Sequence, residues 1–288
     1  MTRNRSFIVL AALLAAGTAE AADLYSPAHM HQLGAPYAAE SPLRHYYVRG
    51  DVGVARHSLG ALSQAELAEN GGSFISKSIE DAALVGAGFG WQVNRHLRFD
   101  FTGEYRARTG IAALDNLKAT IANPDGDLIA NTHYTGNLSA IVGLLNGYID
   151  LATWRGITPY VGGGIGFART SMSGFTTMSA ATFTDATSGE FSTQLSSGTG
   201  GAKSEINLAW ALMAGISVDI GNRAKLDLGY RYLNLGSNLA ATTGLLDCVC
   251  GPVGQPLKVA DLDAHEFRVG IRVPLNDPAP ELFHRPLK

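Results

Sequence analysis

The stretch LRFDFTGEYR, Leu97 to Arg106, sets Leu97, Phe99, Phe101, Gly103 and Tyr105 on one side of an extended chain. Arg98, Asp100, Thr102, Glu104 and Arg106 fall on the other. Successive side chains of a strand point to opposite faces, so this segment reads as a strand with one apolar and one charged face. Two kinds of fold accept such a strand. In a soluble sheet the apolar face is buried and the charges meet water. In a membrane barrel the apolar face meets lipid and the charges point inward.

Eight runs of this kind lie between residues 44 and 275: His45–Ala55, Ile79–Trp91, Leu97–Arg106, Leu138–Leu151, Thr158–Arg169, Ser204–Ile220, Ala224–Leu233 and Ala264–Leu275. The upper half of the fourth alternates poorly. Three connections are short, around Asn94-Arg95-His96, Ala152–Gly156 and Gly221-Asn222-Arg223. The other four exceed 20 residues, where loops beyond ~12–15 are uncommon in compact domains. Short and long connections alternate strictly. The fold class this predicts is all-β: an eight-stranded antiparallel up-and-down transmembrane β-barrel, with short periplasmic turns and four long extracellular loops. The third loop, Ser171–Lys203, is rich in Ser, Thr, Ala and Gly, and its composition fits either a mobile loop or a hairpin continuing as strand.

The N-terminus agrees with export. Arg3 and Arg5 precede the apolar run Phe7–Gly17, and Ala19-Glu20-Ala21 follows, which reads as a signal peptide over 1–21. Residues 22–43 then read as a periplasmic linker and 276–288 as a Pro-rich periplasmic tail around the barrel at 44–275. Without Arg3, Arg5 and Glu20 the chain keeps 20 basic and 24 acidic residues, a net charge of −4, which gives no support to a nucleic-acid partner. No stretch reads as a membrane helix. A chain like this crosses lipid as a closed barrel, the other way to pair every backbone group there.

The charged face indicates which side is inside. It carries Arg49, Arg98, Arg106, Arg231, Arg268 and Arg272 with Lys225, against Asp51, Asp100, Glu104, Asp150, Glu205, Asp219, Asp227 and Glu266. A solvated face has little reason to prefer arginine. A packed interior does, because guanidinium pairs bidentately with carboxylate. Buried charges are costly unless paired, and these signs nearly balance. The apolar face carries Tyr46, Trp91, Tyr105, Phe167 and Tyr232 near strand ends, which suits a belt at the headgroups. A secreted soluble barrel with an apolar pocket is the rival; it explains neither the arginine bias nor the loop alternation.

The segments YYVRGDVG (Tyr46–Gly53), TPYVGGGIGFA (Thr158–Ala168), LDLGYRYL (Leu226–Leu233) and HEFRVGIRV (His265–Val273) resemble those of the opacity-type outer-membrane proteins, small eight-stranded barrels of Gram-negative bacteria related in architecture to the OmpA transmembrane domain. The resemblance covers about Leu43 to Leu275. It implies an outer-membrane surface protein such as an antigen, adhesin or envelope stabiliser, in contact with outer-membrane lipid and lipopolysaccharide. A narrow passive pore is the alternative. One departure is the last strand, which ends Arg272-Val273-Pro274-Leu275 where many such barrels end on an aromatic residue.

No motif for chemistry stands out. His265 and Glu266 are adjacent, so on a strand they face opposite sides and cannot share a proton. Gly162-Gly163-Gly164 and Gly166 mimic a phosphate loop but lie within a strand with no helix after them. His29 and His31 have no third metal ligand nearby. Cys248 and Cys250 are the sole cysteines, open to a small disulfide ring in an oxidising compartment or to free thiols. The expectation is a monomeric, non-enzymatic barrel without cofactor or metal, whose lumen charges form a structural plug and whose loops offer a surface partner its contacts.

Overall fold

Eight strands carry the alternation: β1 His45–Leu59, β2 Ala82–Gln92, β3 Leu97–Ala122, β4 Asp125–Asp150, β5 Ile157–Asp185, β6 Lys203–Ile220, β7 Ala224–Asn234 and β8 Leu262–Pro274. Each pairs antiparallel with its neighbour in sequence, and β1 pairs with β8 from Tyr47↔Pro274 to Leu59↔Leu262. The sheet is therefore a closed ring with up-and-down topology. The computed structural model describes residues 45–122, 125–220, 224–236, 239–241, 244–246, 257–259 and 261–275. The leader at 1–21, the linker at 22–43, the tail at 276–288, the Asn222 turn, Cys248 and Cys250 lie outside the described residues.

The ring is apolar outside. Register pairing links Val48, Phe89, Phe101, Leu145, Ile165 and Trp210 into one row around six strands, all facing outward and exposed. Val52 is 58% exposed and Phe267 71%, so the belt could not persist in water without association. On β1 it runs nine residues, Tyr46 to Val54, before the exposed Arg56. Nine residues at ~3.3 Å each, tilted by ~40°, give roughly the 25 Å height of a lipid-facing band. Among the described residues no helix is long and apolar enough to cross a membrane; this belt of strands supplies the crossing.

Three strands run much further than the sequence predicts. β3 continues past Arg106 to Ala122, β4 begins at Asp125 rather than Leu138, and β5 continues past Arg169 to Asp185. Above the belt both faces can be polar, so Thr, Ser and Ala keep the strand but not the alternation that reveals it. The second and third long connections are thus strand hairpins. Phe191–Gly200 returns along β5, Ser73–Ile79 lines β3, and Gly244–Leu246 meets Ser197–Thr199, which makes a sheet standing beyond the belt on one side of the ring. Asp185 closes its outer tip by accepting the Ser188 and Thr187 backbone N–H groups, which holds its carboxyl below the ordinary range. The first connection instead folds into Leu62–Ser63, a short helix Ala65–Glu69 and Ser73–Ile79.

Close backbone approach explains Gly162 and Gly166 of β5. A Cβ on Gly162 would stand 2.6 Å from the Tyr148 ring and 2.7 Å from the Gly147 carbonyl, and one on Gly166 would run into the Gly143 carbonyl. Gly50 faces outward with open space. We expect Gly166→Ala to cost about 1–3 kcal/mol, the usual range for overpacking, and Gly50→Ala to leave stability unchanged. Urea unfolding of the refolded barrel compares them; equal midpoints for the two variants would contradict this packing.

Candidate functional site

The inward positions of β1–β8 converge on a lumen whose lower and middle levels are ionic. Arg49 grips Asp51 with two donors, Nε to Oδ2 at 2.9 Å and Nη2 to Oδ1 at 2.6 Å, and its Nη1 donates to Asp100 at 2.9 Å. Asp100 also accepts from the Tyr47 hydroxyl at 3.0 Å and the Asn146 amide at 2.8 Å. Arg98 donates to Asp150 at 2.9 Å, with its guanidinium 4.0 Å from the Tyr148 ring centre and 4.7 Å from that of Tyr160. Arg272 donates to Asp227 at 3.2 Å and to Ser217 at 3.0 Å.

One level up, Glu104 and Glu266 are shared by three arginines. Arg231 donates Nε to Glu266 at 2.7 Å and both terminal nitrogens to Glu104, with Nη1 at 2.7 Å. Arg106 pairs with Glu266. Arg268 donates to Glu104 at 2.6 Å and approaches Asp51 at 3.6 Å, joining the two levels. The buried cluster thus holds six arginines and six carboxylates, neutral in sum. That balance is what burial demands, since an unpaired charge here would carry its full desolvation penalty.

Of the residues assigned to the charged face from sequence, Glu205, 3.4 Å from Lys203, lies outside this cluster, as do Asp219 and Lys225. Lys225 pairs with Asp219 at the tight-turn rim, their side chains 33% and 45% exposed. The reason is position: Lys225 is the second residue of β7, next to the turn and within reach of water. Tyr47 and Tyr160 also point inward, at the same strand parity as Arg49 and Tyr148.

The bore is charged for only part of its height. Val142 and Leu144 face inward beside the charges, paired in register with Glu104 and Thr102, and toward the long loops the bore is filled by Leu138, Met172 and Phe175, all buried. From Ile141 to Leu145 β4 is apolar on both sides, toward lipid at Ile141 and Leu145 and toward the bore at Val142 and Leu144, which is why its alternation fails. Between the charges lies a cavity of about 20 Å³, bordered by Arg49, Tyr148, Arg231 and Arg268, about the space of a single water. His265 is exposed on the outer face, where the Tyr230 hydroxyl meets its Nδ1 at 2.5 Å, while Glu266 is buried inside.

Glu266→Ala would leave Arg106 and Arg231 without their shared partner, and removal of one member of a buried pair costs about 3–5 kcal/mol. We expect it to lower the urea midpoint more than Arg268→Leu, because Arg268 lies at the edge of the cluster and leaves Glu104 still held by Arg231. An unchanged midpoint for both variants would remove the cluster from the account of stability.

The family described as outer membrane protein beta-barrel domain matches residues 8–273. An uncharacterized protein of Brucella abortus (strain 2308) is 34% identical over 167 residues, which is 57% of this chain and 55% of that one. The matched region therefore spans little more than half the length of the Brucella relative. A protein of Rickettsia prowazekii named "Putative adhesin RP828" is 24% identical over 66% of this chain and 72% of its own. The crystal structure of the outer membrane protein OprG from Pseudomonas aeruginosa is similar at 12% identity and a TM-score of 0.43, over 82% of this chain and 97% of that one. With the family matched across nearly all of the ring, the chain belongs to the outer-membrane β-barrel family and resides in the bacterial outer membrane with its long loops extracellular.

Proposed function

We propose that this is a non-enzymatic surface protein in which a closed barrel anchors an extracellular contact sheet. The observation that carries the reading is the height of that sheet. β5 continues sixteen residues beyond Arg169 to Asp185, about 50 Å of strand. A strand that long has no role in crossing lipid. Its outer part presents Met178, 66% exposed, beside Phe191 and Leu195 of the returning strand, each 76% exposed. Exposed apolar side chains grouped on a raised sheet are a common form of contact surface. The naming of the Rickettsia relative as an adhesin points in the same direction.

The alternative of a narrow pore needs a water path along the axis. The cluster of twelve paired charges, with the apolar plug above it, opposes one. In planar bilayers the refolded protein is expected to give no steady ohmic conductance; stable unitary steps would overturn the closed-anchor part of the reading.

The contact part is tested separately. Ser179 pairs with Ser196, so replacing Ala180–Leu195 by Asn-Gly shortens the sheet at a paired register without touching the belt. A non-adherent Gram-negative strain displaying the full chain should attach to epithelial monolayers several-fold above vector control. The shortened chain should fall to control while still shifting on gels when boiled. Equal attachment by both chains would end the assignment of contact to this sheet.

A further inference from the structure

The outward face just above the belt holds a group of residues that neither the anchor nor the contact sheet uses. Tyr105, Ile141, Arg169 and Ile206 form one register row across β3, β4, β5 and β6, with Phe167 two residues below Arg169. The next row up on that face is Ser139, Ser171 and Ser204, with the Ser171 and Ser204 hydroxyls 2.7 Å apart. At the β3 end of the serine row the ladder is broken by a bulge between Arg106 and Thr109.

The bulge decides where Arg108 points. Arg106 and Thr109 are both buried inside, so Ala107 and Arg108 share the outer side. Unbroken alternation would have turned Arg108 into the lumen. Arg108 and Arg169 are exposed, and neither has a carboxylate within ion-pair distance among the described residues. Two acidic groups on the neighbouring strands have other contacts: Glu80 accepts the Gly110 N–H at 3.3 Å, and Asp81 pairs with Arg56 at 3.4 Å. Two strand spacings of ~4.8 Å separate the strands of Arg108 and Arg169, near enough for both guanidinium groups to close on one tetrahedral anion.

We propose that Arg108, Arg169 and the serines between them bind the phosphate of a phosphorylated glycolipid in the outer leaflet, its acyl chains lying along Phe167, Ile141 and Ile206. Guanidinium groups match phosphate oxygens bidentately, and the hydroxyl row supplies neutral donors to the same oxygens. The belt beneath selects a lipid over a free anion, because the cations sit where an anchored headgroup must sit. This rests on membrane placement, not on the contact role of the upper sheet.

The test uses the full barrel refolded in uncharged maltoside micelles, with lipid retention read by native mass spectrometry. The probes are bis-phosphorylated lipid A, the same lipid after phosphatase treatment, and inorganic phosphate. The wild type should retain lipid A. The R108Q/R169Q double variant should retain at least tenfold less, each single variant should fall between, and the phosphatase-treated lipid should be lost. Arg56→Gln should match the wild type. The heat-dependent gel shift confirms folding, and the single variants decide the matter if the double variant does not refold. Retention by the double variant equal to wild type, equal retention of the dephosphorylated lipid, or displacement of lipid A by millimolar inorganic phosphate would each overturn the proposal.

Discussion

Hydrocarbon cannot satisfy a backbone N–H or C=O, so a sheet inside it must have no edge. The pairing of β1 with β8 meets that demand along the whole belt. Even the terminal proline fits. Pro274 has no N–H to give, and the ladder resumes beyond it where the Leu275 N–H donates to the Tyr46 carbonyl at 2.8 Å. An unusual end to the last strand therefore leaves the closure complete.

Closure with eight strands fixes a bore that side chains can fill. Once filled, the bore makes its own demands. Small residues are needed where backbones and rings approach, as at Gly162 and Gly166. Charges that enter must find partners inside, because water cannot reach them in number. Arginine answers that better than lysine: Arg231 divides its fork between two glutamates, and Arg98 lies over two tyrosine rings. An ammonium has no planar fork to divide between two carboxylates or to stack flat on a ring. With its interior consumed by packing, the molecule is left its outer surface and its loop end for dealing with anything else.

The sequence was most legible where a strand separates two unlike environments. Between lipid and the ionic lumen, strict alternation located β3 and assigned Arg98, Asp100, Glu104 and Arg106 to one side. Where the two environments became alike the signal faded. At Ile141–Leu145 both sides are apolar, and beyond Arg169 both sides can be polar, so alternation marks only part of β4 and β5. Lys225 shows a different limit: strand parity gives the face but not the depth, and a residue beside a turn reaches water from the inner face. The outward Arg108 was invisible to parity, since a bulge shifts the count by one residue.

The bulges themselves obey the lipid. Among the described residues the register slips between Arg106 and Thr109, between Thr135 and Asn137, and between Phe74 and Ser76. All three places lie above Tyr105 and Ile141, where the apolar belt ends, and the ladders that stay within the belt show no slip. A bulge leaves a residue out of the ladder. In water that residue is hydrated at little cost, whereas in hydrocarbon an unpaired group costs several kcal/mol. The same strand can therefore hold strict register through the membrane and become irregular on leaving it. The first residue at which β3 is free to slip is the one that turns an arginine outward at the headgroup boundary. Lipid thus sets where the barrel must be regular, and by ending there it permits the local change of phase that gives the outer surface its free charge.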